Sequence, residues 1–529
     1  MPNAQDELVD LLRGNHFCIG VKRGKRYVCG GKTNEGAKSK TIELLNEAIE
    51  RIQRWSVWDS WWVEEVMDEW LEKRDRLEIQ LRGKYGDDVV NDLLRLVDKF
   101  ISYTEDFWRY WHEVGNDVEK LVNDLINGRA EVIIWEGEKG TSVHGEFITL
   151  EVERTSTGGI TVQLKPNGLE GVDIEVPDVF RKTMSEEEYE KFVNELLAAL
   201  RGGFEETDGR IEKGNKAAMD TTQIWQAIVW SILYPGKMRV YIDAVNLNEN
   251  SMTIRWRLRS SHDSLKGKIL NNVDKLGEVG LLAFTFTAVL GDGWVDVAKV
   301  VINGRAYDEA MIEIAMSDEK FEMWRPLLDK LKEMGFRSGK PSLVNGDEVE
   351  VRFYGSNAID FARAMINALP SILRDILDAL AFEKWNNLRR IAEMELKWRR
   401  GEMRITVAGY EFTVHVQKGT VELVHRARDD VEVEEVINAL RAVYSIELQF
   451  NVYRSGKYRV VAILASVFEK YSDIKEQVIR VLCQKYERTK DKRKRQEIIK
   501  ALRRLTPTEG AIAAEHLNRG LCPNQTQAT

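Results

Sequence analysis

No stretch of this chain is apolar for long enough to cross a bilayer, which takes about 20 residues. The longest such run, Leu281 to Leu290, is interrupted by two threonines. The N-terminus has neither the basic start nor the apolar stretch of a secretory signal, and a cytoplasmic location is expected. Proline is scarce, at nine in 529 residues, while apolar residues reach 43% and charged residues 31%. That composition excludes a disordered or collagen-like chain. Cysteine is scarcer still, and four of them cannot frame a chain of this length. Cys18 and Cys29 flank a basic turn and are expected to face each other across a hairpin, as ordinary packing or as a disulfide. A zinc site there would need two further ligands, and only His16 is near. Positive charge is also in deficit. The formal net charge is −9, so a nucleic-acid partner would require segregated basic patches. The chain has no P-loop, dinucleotide glycine motif or Ser-His-Asp arrangement.

What is there reads as an α+β chain, long enough for roughly two to four domains. Its high Glu, Lys and Arg content suits a thermophile. Residues 1–128 read as a mainly helical region behind an N-terminal hairpin. Trp55, Trp58 and Trp62 recur at helical spacing within Ile42 to Leu71, with Trp61 and Trp70 beside them. The cluster reads as a helical core or as a surface for a protein partner. Residues 129–220 read as a small α+β segment: short strands, a helix capped by Ser185 and running to Leu200, then a loop or boundary from Gly202 to Lys216. Residues 221–274 read as a helix with a two-strand connector. The second strand carries Arg255, Arg257 and Arg259 at alternate positions, hence on one face, where they are candidates for contact with DNA phosphates.

Residues 275–370 carry the clearest pattern. A helix from Lys275 to Leu290 ends in Gly291-Asp292-Gly293. Strands Trp294 to Ile302 and Ala310 to Met316 follow. Ser317 caps a second helix, and a hairpin around Asn345-Gly346 leads to a third helix ending near Leu369. The order is αββαββα. Ala283, Thr287 and Gly291 lie four apart, so their small side chains share one face that a second helix can approach closely.

This order, with the segment from Leu281 to Gly293, resembles the LAGLIDADG homing-endonuclease family; "AVLGDG" (288–293) stands where that family's motif ends. The resemblance implies two repeats over a saddle-shaped sheet that grips double-stranded DNA. It also implies Asp292 as a catalytic carboxylate and ligand to Mg2+ in metal-assisted phosphodiester hydrolysis. Residues 371–472 read as a second, degenerate repeat. Its long helix from Ser371 ends in Trp398-Arg-Arg-Gly401, so Arg400 stands where a second acid is needed, and an arginine cannot ligate a cation. Residues 275–369 hold 11 Lys and Arg against 15 Asp and Glu, a poor charge balance for gripping DNA. "AVLGDG" and "RFYGSNAIDFARAM" (352–365), with the helices after 371, also resemble the PaREP-type paralogous families of thermophilic crenarchaea, a likeness that implies no catalytic residues. The remainder, 473–529, reads as a basic helical tail. Residues 475–504 hold 12 Lys and Arg against 4 Asp and Glu, with Lys492, Arg493, Lys494 and Arg495 as candidate DNA contacts.

The expectation that follows is a DNA-binding protein of mobile-element origin, derived from a homing endonuclease with cleavage lost or weak. Two alternatives stand beside it. One is a non-catalytic interaction scaffold that binds a protein through the Trp-rich region. The other is a homodimeric, Mg2+-dependent DNA endonuclease in which each copy supplies Asp292.

Overall fold

The structure, a computed structural model, describes residues 4–23, 26–155, 158–302, 305–344, 348–395, 404–427, 429–444, 449–455, 458–468, 470–489 and 491–505. The architecture is α+β, in two units, 1–394 and 395–529.

The first unit begins with α1 (Ala4–Leu12) and the hairpin β1 (His16–Arg23) and β2 (Arg26–Lys32). A Cys18–Cys29 disulfide crosses that hairpin, with Cα atoms 5.6 Å apart. Three helices follow, α2 (Glu35–Arg54), α3 (Trp61–Leu81) and α4 (Asp87–Ile126). The helix-like stretch Ile42 to Leu71 is therefore two helices, parted where Ser56 takes a left-handed φ of 44°. Of the five tryptophans singled out there, two are core, and Trp55 and Trp58 are half-buried. Trp62, Trp70 and Trp111 are buried, while Trp61 stays 41% exposed. Next come the strands β3 (Glu131–Ile134), β4 (Gly140–His144), β5 (Ile148–Arg154), β6 (Ile160–Pro166) and β7 (Val172–Val176), then the short helix α5 (Val179–Thr183).

A duplication follows. Its first copy is α6 (Glu186–Lys191) and α7 (Ala198–Thr207), joined through a π-helical turn, then β8 (Gly209–Glu212), β9 (Lys216–Thr221), α8 (Ile224–Leu233), β10 (Gly236–Leu247), β11 (Met252–Asp263) and a 3-10 turn, Leu270–Lys275. Its second copy is α9 (Glu278–Asp292), β12 (Gly293–Ile302), β13 (Arg305–Ser317), α10 (Asp318–Glu333), β14 (Ser342–Val344), β15 (Glu348–Tyr354) and α11 (Gly355–Ala368). The helices α12 (Ser371–Leu380) and α13 (Glu383–Glu393) close the unit. Within the two copies the strands pair in matching order, β8-β9-β11-β10 and β12-β13-β15-β14, all antiparallel. The first set does not stand alone. Because β10 also pairs with β6 and β7, it merges into an 11-stranded sheet, ten strands ordered β2-β1-β3-β4-β5-β6-β10-β11-β9-β8 with β7 off that path beside β10. Along β11 the period-2 alternation buries Ile254, Trp256 and Leu258 and turns Arg255, Arg257 and Arg259 to the other face. Trp256 meets Trp70 and Phe100 edge-on, at 5.6 and 5.9 Å, so α3 and α4 cover the apolar face of this sheet.

Three expectations are corrected here. Residues 202–216 are not a loop or boundary: the helix capped by Ser185 continues to Thr207, and Gly202 and Gly203 lie inside it because the Ile269 side chain and α9, respectively, leave no room for side chains. Residues 221–274 are not a connector but part of a full repeat. The repeat that pairs with 278–368 therefore precedes it in the chain. The long helix expected from Ser371 to Arg400 is also two helices, broken at Ala381 with φ 45° and ending at Glu393. Arg400 and Gly401 lie outside the described residues, as do the turns at 303–304 and 345–347 and the last residues, 506–529.

The second unit holds β16 (Arg404–Val407), β17 (Tyr410–Gln417), β18 (Thr420–Ala427), α14 (Asp430–Tyr444), β19 (Asn451–Ser455), β20 (Tyr458–Leu464), α15 (Ala465–Phe468), α16 (Ser472–Arg488) and α17 (Lys492–Leu505). Its sheet runs β16-β17-β18-β20-β19. With β16 set aside, that order matches the two sets above. Phe412, Val414, Leu423, Val461 and Ile463 from one face pack with Val436, Leu440, Val478, Leu482 and Leu502 from the helices as a separate core. Among the described residues no helix is long and apolar enough to cross a membrane.

Candidate central acid pair

The two long repeat helices, α7 and α9, pack against each other. Their contact is made by small residues. A Cβ on Gly203 would collide with the Phe284 carbonyl and the Thr287 hydroxyl, and one on Gly291 would collide with Thr207 and Asp208. Aligning Asp208 with Asp292 puts Gly203 at the position of Thr287, and Thr207 at the position of Gly291. Each layer of the crossing thus pairs one glycine with one threonine. Both threonines turn their hydroxyls back onto their own helix. Thr207 Oγ1 donates to the Gly203 and Phe204 carbonyls at 3.2 Å, and Thr287 Oγ1 donates to Phe284 O at 3.1 Å. Each threonine oxygen lies against the glycine of the other helix while its proton is used within its own helix, so no donor is left unpaired.

Each helix ends in Asp-Gly, and the glycine opens a strand: Gly209 begins β8 and Gly293 begins β12. Gly293 has φ −77° and ψ 160°, so it does not terminate the helix as a left-handed cap. It is needed instead because its strand leaves at once across the last turn, where a Cβ would meet the Val289 backbone. The outcome is two carboxylates, Asp208 and Asp292, at the feet of adjoining helices. Asp208 is held in place: its Oδ2 accepts from Gln226 Nε2 at 2.8 Å, and Gln226 in turn accepts the Thr221 hydroxyl at 2.5 Å. Burial pushes the Asp208 carboxyl up to about 6, and the Asp292 charge pushes it further in the same direction. Asp292 is more open, its side chain 40% exposed, with Lys320 Nζ 3.7 Å from its Oδ2. Gln226 and Lys320 are both third residues of the helix that follows the first hairpin of their repeat, α8 and α10.

A lysine from α13 completes the site. Lys384 Nζ donates to the Leu290 carbonyl at 2.9 Å and also to Gly291 O, binding the carbonyl end of α9 where the helix dipole is negative. Burial lowers its pKa, and Asp208 and Asp292 oppose that shift. A cavity of about 440 Å3 opens here, lined by Asp208, Gln226, Leu290, Gly291, Lys384 and Arg255 among others. Two aromatic rings, Trp225 and Phe382, stack beside it at 3.8 Å.

Of the residues singled out from sequence, Asp292 is at this centre. Arg255 reaches the cavity wall, but its guanidinium is paired with Asp243. Arg257 binds Asp220 and Asp243, each at 2.7 Å, and Arg259 donates to the Lys213 carbonyl at 2.9 Å. The stripe is real, but two of its three charges are compensated within the sheet. Lys492, Arg493, Lys494 and Arg495 lie on α17 of the second unit; the first three are exposed, and Arg495 sits over the Tyr486 ring at 5.1 Å. Sequence reasoning missed Asp208, Gln226 and Lys384. The signal for Asp208 was an Asp-Gly closing a helix and opening a strand, hidden by two glycines six and five positions before it that read as a loop.

No protein-family model matches the chain, and no curated protein does. Among solved structures the chain is similar to the LAGLIDADG meganuclease I-AabMI bound to uncleaved DNA, at 14% identity over 44% of this chain and 96% of that one, with a TM-score of 0.13. It is also similar to the LAGLIDADG homing endonuclease I-GzeII in complex with its DNA target, at 11% identity over 44% and 96%, with a TM-score of 0.13. A TM-score that low carries no weight, and neither match concerns the PaREP families.

Proposed function

We propose that the chain is a DNA-binding protein built on a LAGLIDADG-like pair of repeats, with both central carboxylates in place for phosphodiester hydrolysis. One observation carries the reading: α7 and α9, from two copies of one element order, cross through glycine–threonine layers and bring Asp208 and Asp292 together. Lost cleavage was expected on two grounds, an arginine in place of the second acid and the acidic balance of residues 275–369; Asp208, from the preceding repeat, answers the first. It also removes the reason to invoke a second copy of the chain, since both acids come from one.

The donor set fits a hard divalent cation. Burial first and the Asp292 charge second hold the Asp208 pKa up, added positive charge would relieve both, and oxygen ligands suit Mg2+. Asp208 and Asp292 would hold it, and it would supply Lewis-acid activation of a phosphodiester. The chain's own residues prepare the centre. Gln226 fixes the Asp208 carboxylate, Lys320 faces Asp292, and Lys384 anchors the end of α9 beside both acids. A second reading, binding without cleavage, is favoured by Lys384, whose ammonium already offsets the pair in the absence of metal.

The test is a gel shift on duplex DNA at low salt, with nicking of supercoiled plasmid in Mg2+. Wild type should shift and nick, while Asp208→Asn and Asp292→Asn should shift without nicking. A wild type that shifts but never nicks selects the second reading. Failure to shift DNA even at low salt sinks both.

A further inference from the structure

The N-terminal strands create a second site. In the 11-stranded sheet, β1 and β2 lie at one edge and β8 at the other, yet side chains from both ends line one cavity of about 670 Å3. Laid flat, strands spaced ~4.8 Å apart would hold those edges roughly 40 Å apart. The polar face is therefore rolled into a trough. Its lining has five Lys and Arg against three carboxylates, in a chain whose total charge is −9. Three of those cations are committed: Lys165 to Glu151 at 2.5 Å, Arg210 to Asp220 at 2.7 Å, and Arg257 to Asp220 and Asp243. Lys22 and Arg259 are in no ion pair among the described residues, so their charge is free for a ligand. Ser142, 2% exposed, lines the same trough with a hydroxyl that has no hydrogen-bond partner. A buried unused hydroxyl is costly unless something else meets it. Two phenol rings, Tyr27 and Tyr241, complete the lining.

Unpaired cations, an unsatisfied hydroxyl and aromatic rings along one groove are what a nucleic-acid strand uses: phosphates meet the charge and bases stack on the rings. The volume lies within the ~300–1,000 Å3 typical of small-ligand sites, too small for a duplex. We infer that the trough holds one or two nucleotides of a single nucleic-acid strand. The site needs neither central aspartate. Asp220 lines the acid cavity and binds Arg257 of the trough, so the two are adjacent on one sheet face.

The test is fluorescence anisotropy of the full chain with a labelled single-stranded oligo-dT of ~10 nucleotides in ~50 mM salt, a condition that favours phosphate contacts. Wild type should bind, and Lys22→Glu and Arg259→Glu should each weaken binding on the order of tenfold. The variants' thermal midpoints would confirm that they fold. Lys99→Glu, an exposed change on α4, should bind as wild type and controls for net charge. The inference is overturned if wild type ignores the oligonucleotide, if the Lys22→Glu/Arg259→Glu double variant binds it normally, or if adenosine monophosphate competes as well as unlabelled oligo-dT. Duplex shifting with no oligo-dT binding would overturn it while leaving the proposed function standing.

Discussion

A carboxylate at the end of a helix faces the negative pole of the helix dipole, and Asp208 is half-buried there as well. Its folded-state pKa of about 6 lies above the ordinary 3.8. The folded chain therefore binds the proton more tightly than the unfolded chain. That contribution to stability is complete below about pH 4 and disappears as pH rises through 6. Asp208→Asn should thus stabilise the metal-free protein at pH 7.5 by on the order of 1–3 kcal/mol and change little at pH 4. Urea midpoints in EDTA at the two pH values would show it, and a variant weaker than wild type at pH 7.5 would contradict the assignment. Metal should act in the opposite sense. Mg2+ should raise the thermal midpoint of wild type and leave Asp208→Asn and Asp292→Asn unmoved. The crossing glycines set a steric limit. Gly291→Val would push α7 from α9 at the level of Asp208, for a cost of roughly 2–4 kcal/mol and loss of any nicking.

Among the elements, the ones legible in sequence were those whose pattern was local. Helix α9 and its hairpin follow from the stripe Ala283, Thr287 and Gly291 and from the alternation Ile312, Ile314 and Met316. Helix α7 was not legible, because Gly202 and Gly203 are poor helix formers and mark turns in most settings. Only the distant neighbours they pack against, Ile269 for Gly202 and α9 for Gly203, make them suitable, and α9 is some eighty residues on. The arginine alternation on β11 was read correctly as one face. Its partners, Asp220 on β9 and Asp243 on β10, belong to neighbouring strands that a linear reading could not pair. At the N-terminal hairpin the Cys18–Cys29 bond closes a loop with a sequence separation of 11. Reduction should lower stability by roughly 2–3 kcal/mol by the chain-entropy argument. Denaturation with and without dithiothreitol would measure it, and identical curves would rule the bond out as a stabiliser.

For the whole molecule, the partner expected for residues 278–368 was 371–472, yet the same element order also precedes it, in residues 186–275. Residues 371–472 attracted the assignment because β17, β18, β19 and β20 do follow the same strand order, so the chain presents that order three times. What distinguishes the partner is helix-to-helix fit, which element order does not encode. The second unit has its own sheet and its own core, so a fragment of 404–505 should unfold cooperatively in urea when expressed alone. A broad, featureless transition by circular dichroism would show that it depends on the rest of the chain. The glycine–threonine layers also bear on how such a molecule can change. Two copies of the first half would set glycine against glycine at one level and threonine against threonine at the next, a hole beside a clash. The same holds for two copies of the second half. Each half has become the other's complement, so neither can revert to self-association through this crossing, and a substitution at any of the four positions demands a matching one across the seam.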